Sequence, residues 1–199
     1  MLHGIIRQVT WALPIILTLG CATKVSRVQS DSTMDISGKW NDTDSRLVAE
    51  EMINDCLSKP WLHKYQSEKT TPKVIVGKIA NKSHEHISIE TFVKDIERVL
   101  LNSGKVDFVA SKTERKQLRE EVSDQSEHAS AETAKSSGEE VGADLMLIGT
   151  ISTIVDQEGS KAVVFYQVDM ELIEMESNMK KWIGNKKIKK YVKRTKTKF

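Results

Sequence analysis

The chain has 199 residues, 39% of them hydrophobic, with 30 Lys+Arg against 28 Asp+Glu and a formal net charge of +2. That length and apolar content suit one domain with short appendages and exclude a wholly disordered chain. The near balance of charge excludes polyanion binding driven by net charge alone.

His3 and Arg7 give a cationic start, Val9–Leu19 is a short apolar run, and Gly20-Cys21 follows. Cation, apolar stretch and small residue read as a secretory signal peptide over residues 1–20. The run is short of the ~20 residues that cross a bilayer, and Pro14 would kink it. A small residue directly before cysteine is a lipobox. It predicts Cys21 as the lipidation site, carrying a diacylglyceryl thioether, although Thr18 stands where leucine is usual. Ala22 in place of aspartate favours the outer membrane, with the domain facing the periplasm. Several acyl chains hold firmly because each buried methylene adds ~0.8 kcal/mol. The other cysteine, Cys56, then has no intramolecular partner. It falls on a predicted helix face with Val48 and Met52, which predicts a buried, inert thiol.

Residues 21–35 are polar and aperiodic and read as a lipidated flexible tether, reaching at most ~45–50 Å when stretched. A globular domain follows over 36–190, then a basic tail over 191–199. A first helix is predicted from about Ser45 to Ser58, capped by Asp44 or Thr43 and ended by Lys59-Pro60. Lys73–Ile79 reads as a buried strand. Ser88 caps a helix whose Ile89, Phe92, Val93, Ile96 and Leu100 keep helical spacing, with Gly104 as its stop. Val106–Ala110 reads as a second strand.

Ser111 and Glu114 form a capping box for a third helix to about Val122. Its apolar residues are few, so it belongs on the surface. A fourth helix is expected from Ser130 to near Gly142. Strands are expected over Asp144–Asp156, Ala162–Met175 and Trp182–Tyr191. In the second of these Val164, Tyr166, Val168, Met170 and Leu172 share one face. The fold class is α/β: one domain, a mixed four- to five-stranded sheet with helices mainly on one face, in the order β-α-β-α-α-β-β-β after an extra helix.

Nothing in the sequence predicts an enzyme, a cofactor, a small-molecule substrate or a nucleic-acid partner. Ser177-Asn-Met-Lys180 matches Ser-x-x-Lys but spans a predicted turn and lacks the partner motifs of that chemistry. His84-Glu-His86 lacks the third and fourth ligands of a closed metal site. The C-terminus stands out instead. Lys180–Phe199 holds ten basic residues and no acidic one, leaving a net −8 on the rest of the chain. Aromatic residues among lysines suit an interface. The predicted partner surface is therefore Tyr166, Trp182, Lys186 and Lys187.

The segments Asp35-Ile-Ser-Gly-Lys-Trp-Asn-Asp-Thr-Asp-Ser-Arg46, Pro72–Asn81, Gly104–Glu121 and Gly142-Ala-Asp144 resemble the LpoB-type penicillin-binding-protein activators. The resemblance spans nearly the whole chain after the leader. It implies an outer-membrane lipoprotein that stimulates a class A penicillin-binding protein, a peptidoglycan synthase, by docking on its small non-catalytic domain. The tether here is shorter and proline-free, and the basic tail longer, than that family leads one to expect. A CsgG-like secretion or assembly lipoprotein and a periplasmic adaptor are the alternatives. The CsgG type needs membrane hairpins of alternating apolar residues, and no strand pair is left over to supply them.

Overall fold

The computed structural model describes residues 24–194 apart from 131, 136 and 137, so the leader, Cys21 and residues 195–199 lie outside the described residues. The chain divides into two units, 1–32 and 33–199. In the first, the described residues 24–32 contain no helix or strand. The second is the folded domain.

The domain opens with α1 (Asp42–Leu57) and a short α2 (Trp61–Ser67). Pro60 ends one helix and immediately precedes the next, where its missing N–H costs nothing. Trp61 Nε1 donates to the Cys56 carbonyl at 2.8 Å, pinning the corner. The sequence predicts one helix here, and the structure has two. Next come β1 (Lys73–Lys82), α3 (Ile89–Asn102), β2 (Asp107–Phe108) and α4 (Lys112–His128). The last three elements are long strands: β3 (Leu145–Glu158), β4 (Lys161–Glu174) and β5 (Lys180–Lys193). They form one mixed sheet in the order β2-β1-β3-β4-β5. β1 is parallel to β2 and β3, and the remaining pairs are antiparallel.

Most predicted signals act where expected. Ser88 accepts from the Thr91 amide to cap α3, and Ser111 with Glu114 closes the box on α4. Glu114 also meets Lys94, and that ion pair and its own cap hold its carboxyl down at about 2. Cys56 is buried, and burial pushes its thiol up to about 12. A two-residue loop joins β3 to β4, with Gly159 supplying the positive φ it needs.

Helices cover one face only. α1 packs on α3 and β5, and α3 packs on β1 and β2. The core lies between: Val48, Met52, Ile53, Phe92 and Ile96 against Leu147, Ile151, Tyr166, Val168 and Met170. On β4 burial alternates as expected, with Val164, Tyr166, Val168, Met170 and Leu172 all inward.

Two elements differ from expectation. Residues 130–142 form no helix among those described, because they offer no apolar stripe to bury and contain Gly138 and Gly142. β1 is not buried on both sides: only Val74 and Ile79 are buried. A register shift between Val76 and Ile79 lets residues five apart share the core face.

Candidate docking surface

The segment before α1 is a clasp. Asn41 caps α1 by accepting from the Asp44 amide at 3.0 Å, while its own amide donates back to Asp44 Oδ2 at 3.0 Å. Asp44 is thus the third residue of a capping box, not the cap that its composition suggested. Trp40 Nε1 donates to Ser45 Oγ at 2.7 Å, and its ring meets Phe92 and Tyr166 edge-on at 6.0 and 5.5 Å. Glu85, the middle residue of the His-Glu-His motif, closes the arrangement. Its carboxylate accepts from the Trp40 amide at 3.0 Å and from Tyr166 Oη at 2.8 Å. The flanking His84 and His86 are exposed. No cluster of metal-ligating side chains exists among the described residues.

The structure separates the four residues predicted to form one surface. Tyr166 is fully buried and its hydroxyl also lies 3.0 Å from the Gly38 carbonyl. Burial, and then the Glu85 carboxylate, raise its phenol above the ordinary value. Trp182 is buried, folded over Gly184, where an added Cβ would come within 2.1 Å of the ring. Its Nε1 donates to Asp55 Oδ2 at 2.8 Å. Neither ring is available to a partner in this fold. The alternation that places Val164 inside places Tyr166 there too. Lys186 is half-buried on the helix side and paired with Glu51. Lys187 alone is exposed on the open face.

A further pattern was missed. The inward residues Trp182, Lys186 and Lys190 of β5 reach Asp55, Glu51 and Asp44 of α1 in turn. Lys190 Nζ donates to Asp44 Oδ2 at 2.6 Å, Asp35 Oδ1 at 2.7 Å and the Lys39 carbonyl at 3.2 Å. Its side chain is 10% exposed and that of Asp44 9%. Burial disfavours the ammonium, but the hydrogen bonds to Asp35 and Asp44 outweigh it and raise the Lys190 pKa, while lowering that of Asp35. The sequence signal was a spacing of four along β5 facing acids along α1, visible only once the two elements are paired.

The basic run is thereby divided between paired and unpaired cations. Lys186 and Lys190 meet Glu51 and Asp44 of α1, while Lys180 and Lys181 meet Glu171 and Glu174 of β4. The sequence model of the peptidoglycan-synthase activator LpoB family matches residues 44–188, well over half of the chain. The chain belongs to the LpoB family. That stretch takes in α1 from Asp44 onward and the whole of β1–β4, with β5 as far as Ile188.

Among solved structures, the LpoB C-terminal domain from Salmonella enterica is 15% identical, with 73% of this chain and 98% of that one covered and a TM-score of 0.42. The NMR structure of E. coli LpoB is 12% identical over 92% and 88%, with a TM-score of 0.43. Lipoprotein GNA1162 from Neisseria meningitidis is 12% identical over 60% and 83%, with a TM-score of 0.41. No curated protein sequence matches the chain. No helix among the described residues is long and apolar enough to cross a membrane.

Proposed function

We propose that this LpoB-family protein is a lipid-anchored, non-enzymatic activator of a class A penicillin-binding protein, held in the outer membrane by Cys21 and acting in the periplasm. The family match over residues 44–188 carries this reading. The activator docks on the synthase's small non-catalytic domain and shifts its population toward an active conformation by binding that conformation better. We assign docking to the middle of β5, around Lys186 and Lys187. The exposure of Lys187 and of Ile183, 68% exposed on the same face, supports this. Trp182 fixes β5 on α1 through Asp55, and Tyr166 lies in the core on the neighbouring strand.

The test is peptidoglycan synthesis by a purified class A synthase from the same organism, with and without the soluble Thr23–Phe199 fragment. That fragment contains the whole hydrophobic core. A several-fold, saturable rate increase is expected; no binding and no stimulation would sink the reading. Cys21→Ala in the full chain is expected to give a secreted but unanchored protein. If that variant still fractionates with membranes, the lipid site is wrong.

A further inference from the structure

We infer that the distal end of β5 is a footing for an anionic phospholipid surface, formed by Lys189, Tyr191, Lys193 and Arg194 with Ile36 and Ile154. This rests on the reading that the chain is lipid-anchored at Cys21.

The first observation is the division of charge. Lys189, Lys193 and Arg194 have no acidic partner among the described residues, whereas Lys190, between them, is consumed by Asp35 and Asp44. Strand alternation sends Lys189, Tyr191 and Lys193 to the face that carries no helix. Neighbouring cations without counter-ions repel one another and attract an external anionic surface.

The second is the company these cations keep. Tyr191 is 64% exposed, Ile154 67% and Ile36 90%. Register places Lys189 opposite Phe165, which faces Ile154, and Tyr191 opposite Val163. Aliphatic groups and a tyrosine ring among cations match the composition of surfaces that lie in a headgroup layer. There the ring sits at the apolar boundary, and the lysine stems stretch so that their ammonium groups meet phosphate. Asp156 and Glu158 of β3 lie in the same cross-strand rows as Tyr191 and Lys193, one strand beyond β4, where Lys161 stands between Glu158 and Lys193; the cations Lys161, Lys189, Lys193 and Arg194 outnumber these two acids.

The third is where the tether joins. Asp35 is fastened to Lys190, and Asp35–Gly38 share a groove with Lys189–Lys193. Gly38 lies so close that an added Cβ would stand 2.1 Å from Val192 Cγ2. The chain from the lipidated cysteine therefore enters the domain beside this patch. At full stretch the tether spans only ~45–50 Å, so the patch stays within that reach of the anchoring bilayer. A lipid surface, supplied there by the anchor itself, suits the patch better than an acidic protein that must find it.

The test is sedimentation of the Thr23–Phe199 fragment with vesicles of phosphatidylglycerol and phosphatidylethanolamine in equal parts, and with phosphatidylcholine vesicles. Binding to the anionic vesicles is expected, weakening as salt rises, with little to the neutral ones. Lys189→Glu with Lys193→Glu is expected to lower binding by about tenfold or more, since each cation near an anionic surface adds to the affinity. Tyr191→Ala should lower it several-fold, and Lys105→Glu, remote from β5, should not. Absence of binding to anionic vesicles, or a double variant that binds like the parent, overturns the proposal. So does a double variant that keeps vesicle binding but loses stimulation of the synthase in detergent, which would give the patch to an acidic protein. The activator reading is judged separately, by the parent fragment in the lipid-free assay.

Discussion

Lys190→Ala is expected to lower the unfolding free energy by about 3–5 kcal/mol, the cost of removing one partner from a buried ion pair. The carboxylate of Asp44 stays almost wholly enclosed and, among the described residues, keeps only the Asn41 amide as donor. Asp35 loses the contact that fastens the start of the domain to β5. In a domain of this size the loss corresponds to a fall in Tm of roughly 6–20 °C. Lys187→Ala, on the opposite face and without an acidic partner among the described residues, should stay within about 0.5 kcal/mol of the parent. Calorimetry of the two variants checks the division of β5 into a structural and a free face, and equal effects would refute it. The pH dependence has a definite sign. The raised pKa of Lys190 makes its contribution complete below its ordinary value and lost as pH rises through the folded value. The depressed pKa of Asp35 makes its contribution complete above the ordinary carboxylate range and lost as pH falls through the folded value. Lys190→Ala should therefore flatten the stability profile at both ends.

Tyr166→Ala is expected to cost about 3–5 kcal/mol, as for a buried aromatic side chain cut back to alanine. The ring fills the centre of the core and meets Trp40 edge-on, so little can move in to replace it. Tyr166→Phe isolates the hydroxyl. It keeps the packing but removes a donor from half-buried Glu85, at a cost of about 1–3 kcal/mol. Glu85 still receives the Trp40 amide, which favours the lower end of that range. Chemical denaturation should show both losses, while stimulation of the synthase by the folded Tyr166→Phe fragment should equal the parent's. A variant of undiminished stability that no longer stimulates would mean that the hydroxyl meets the partner, against its place in the core.

The sequence by itself determined the local elements. Helical spacing in Ile89–Leu100, the caps at Ser88 and Ser111 and the alternation along β4 each depend on residues only a few positions apart, and short-range sterics and hydrogen bonding decide them. The same alternation, followed strictly, puts Tyr166 inside with Val164 and Val168. The expectation that it would meet a partner came from weighing residue type over face. The sequence also carried the family, since Asp35–Arg46 resembles it before any fold is known. What that segment does was not legible. Its residues bond to Glu85, Tyr166 and Lys190, which are remote in sequence. Tertiary structure alone decided which lysines of the basic run are spent on α1 and which remain free, because that depends on which acids another element brings within ~4 Å.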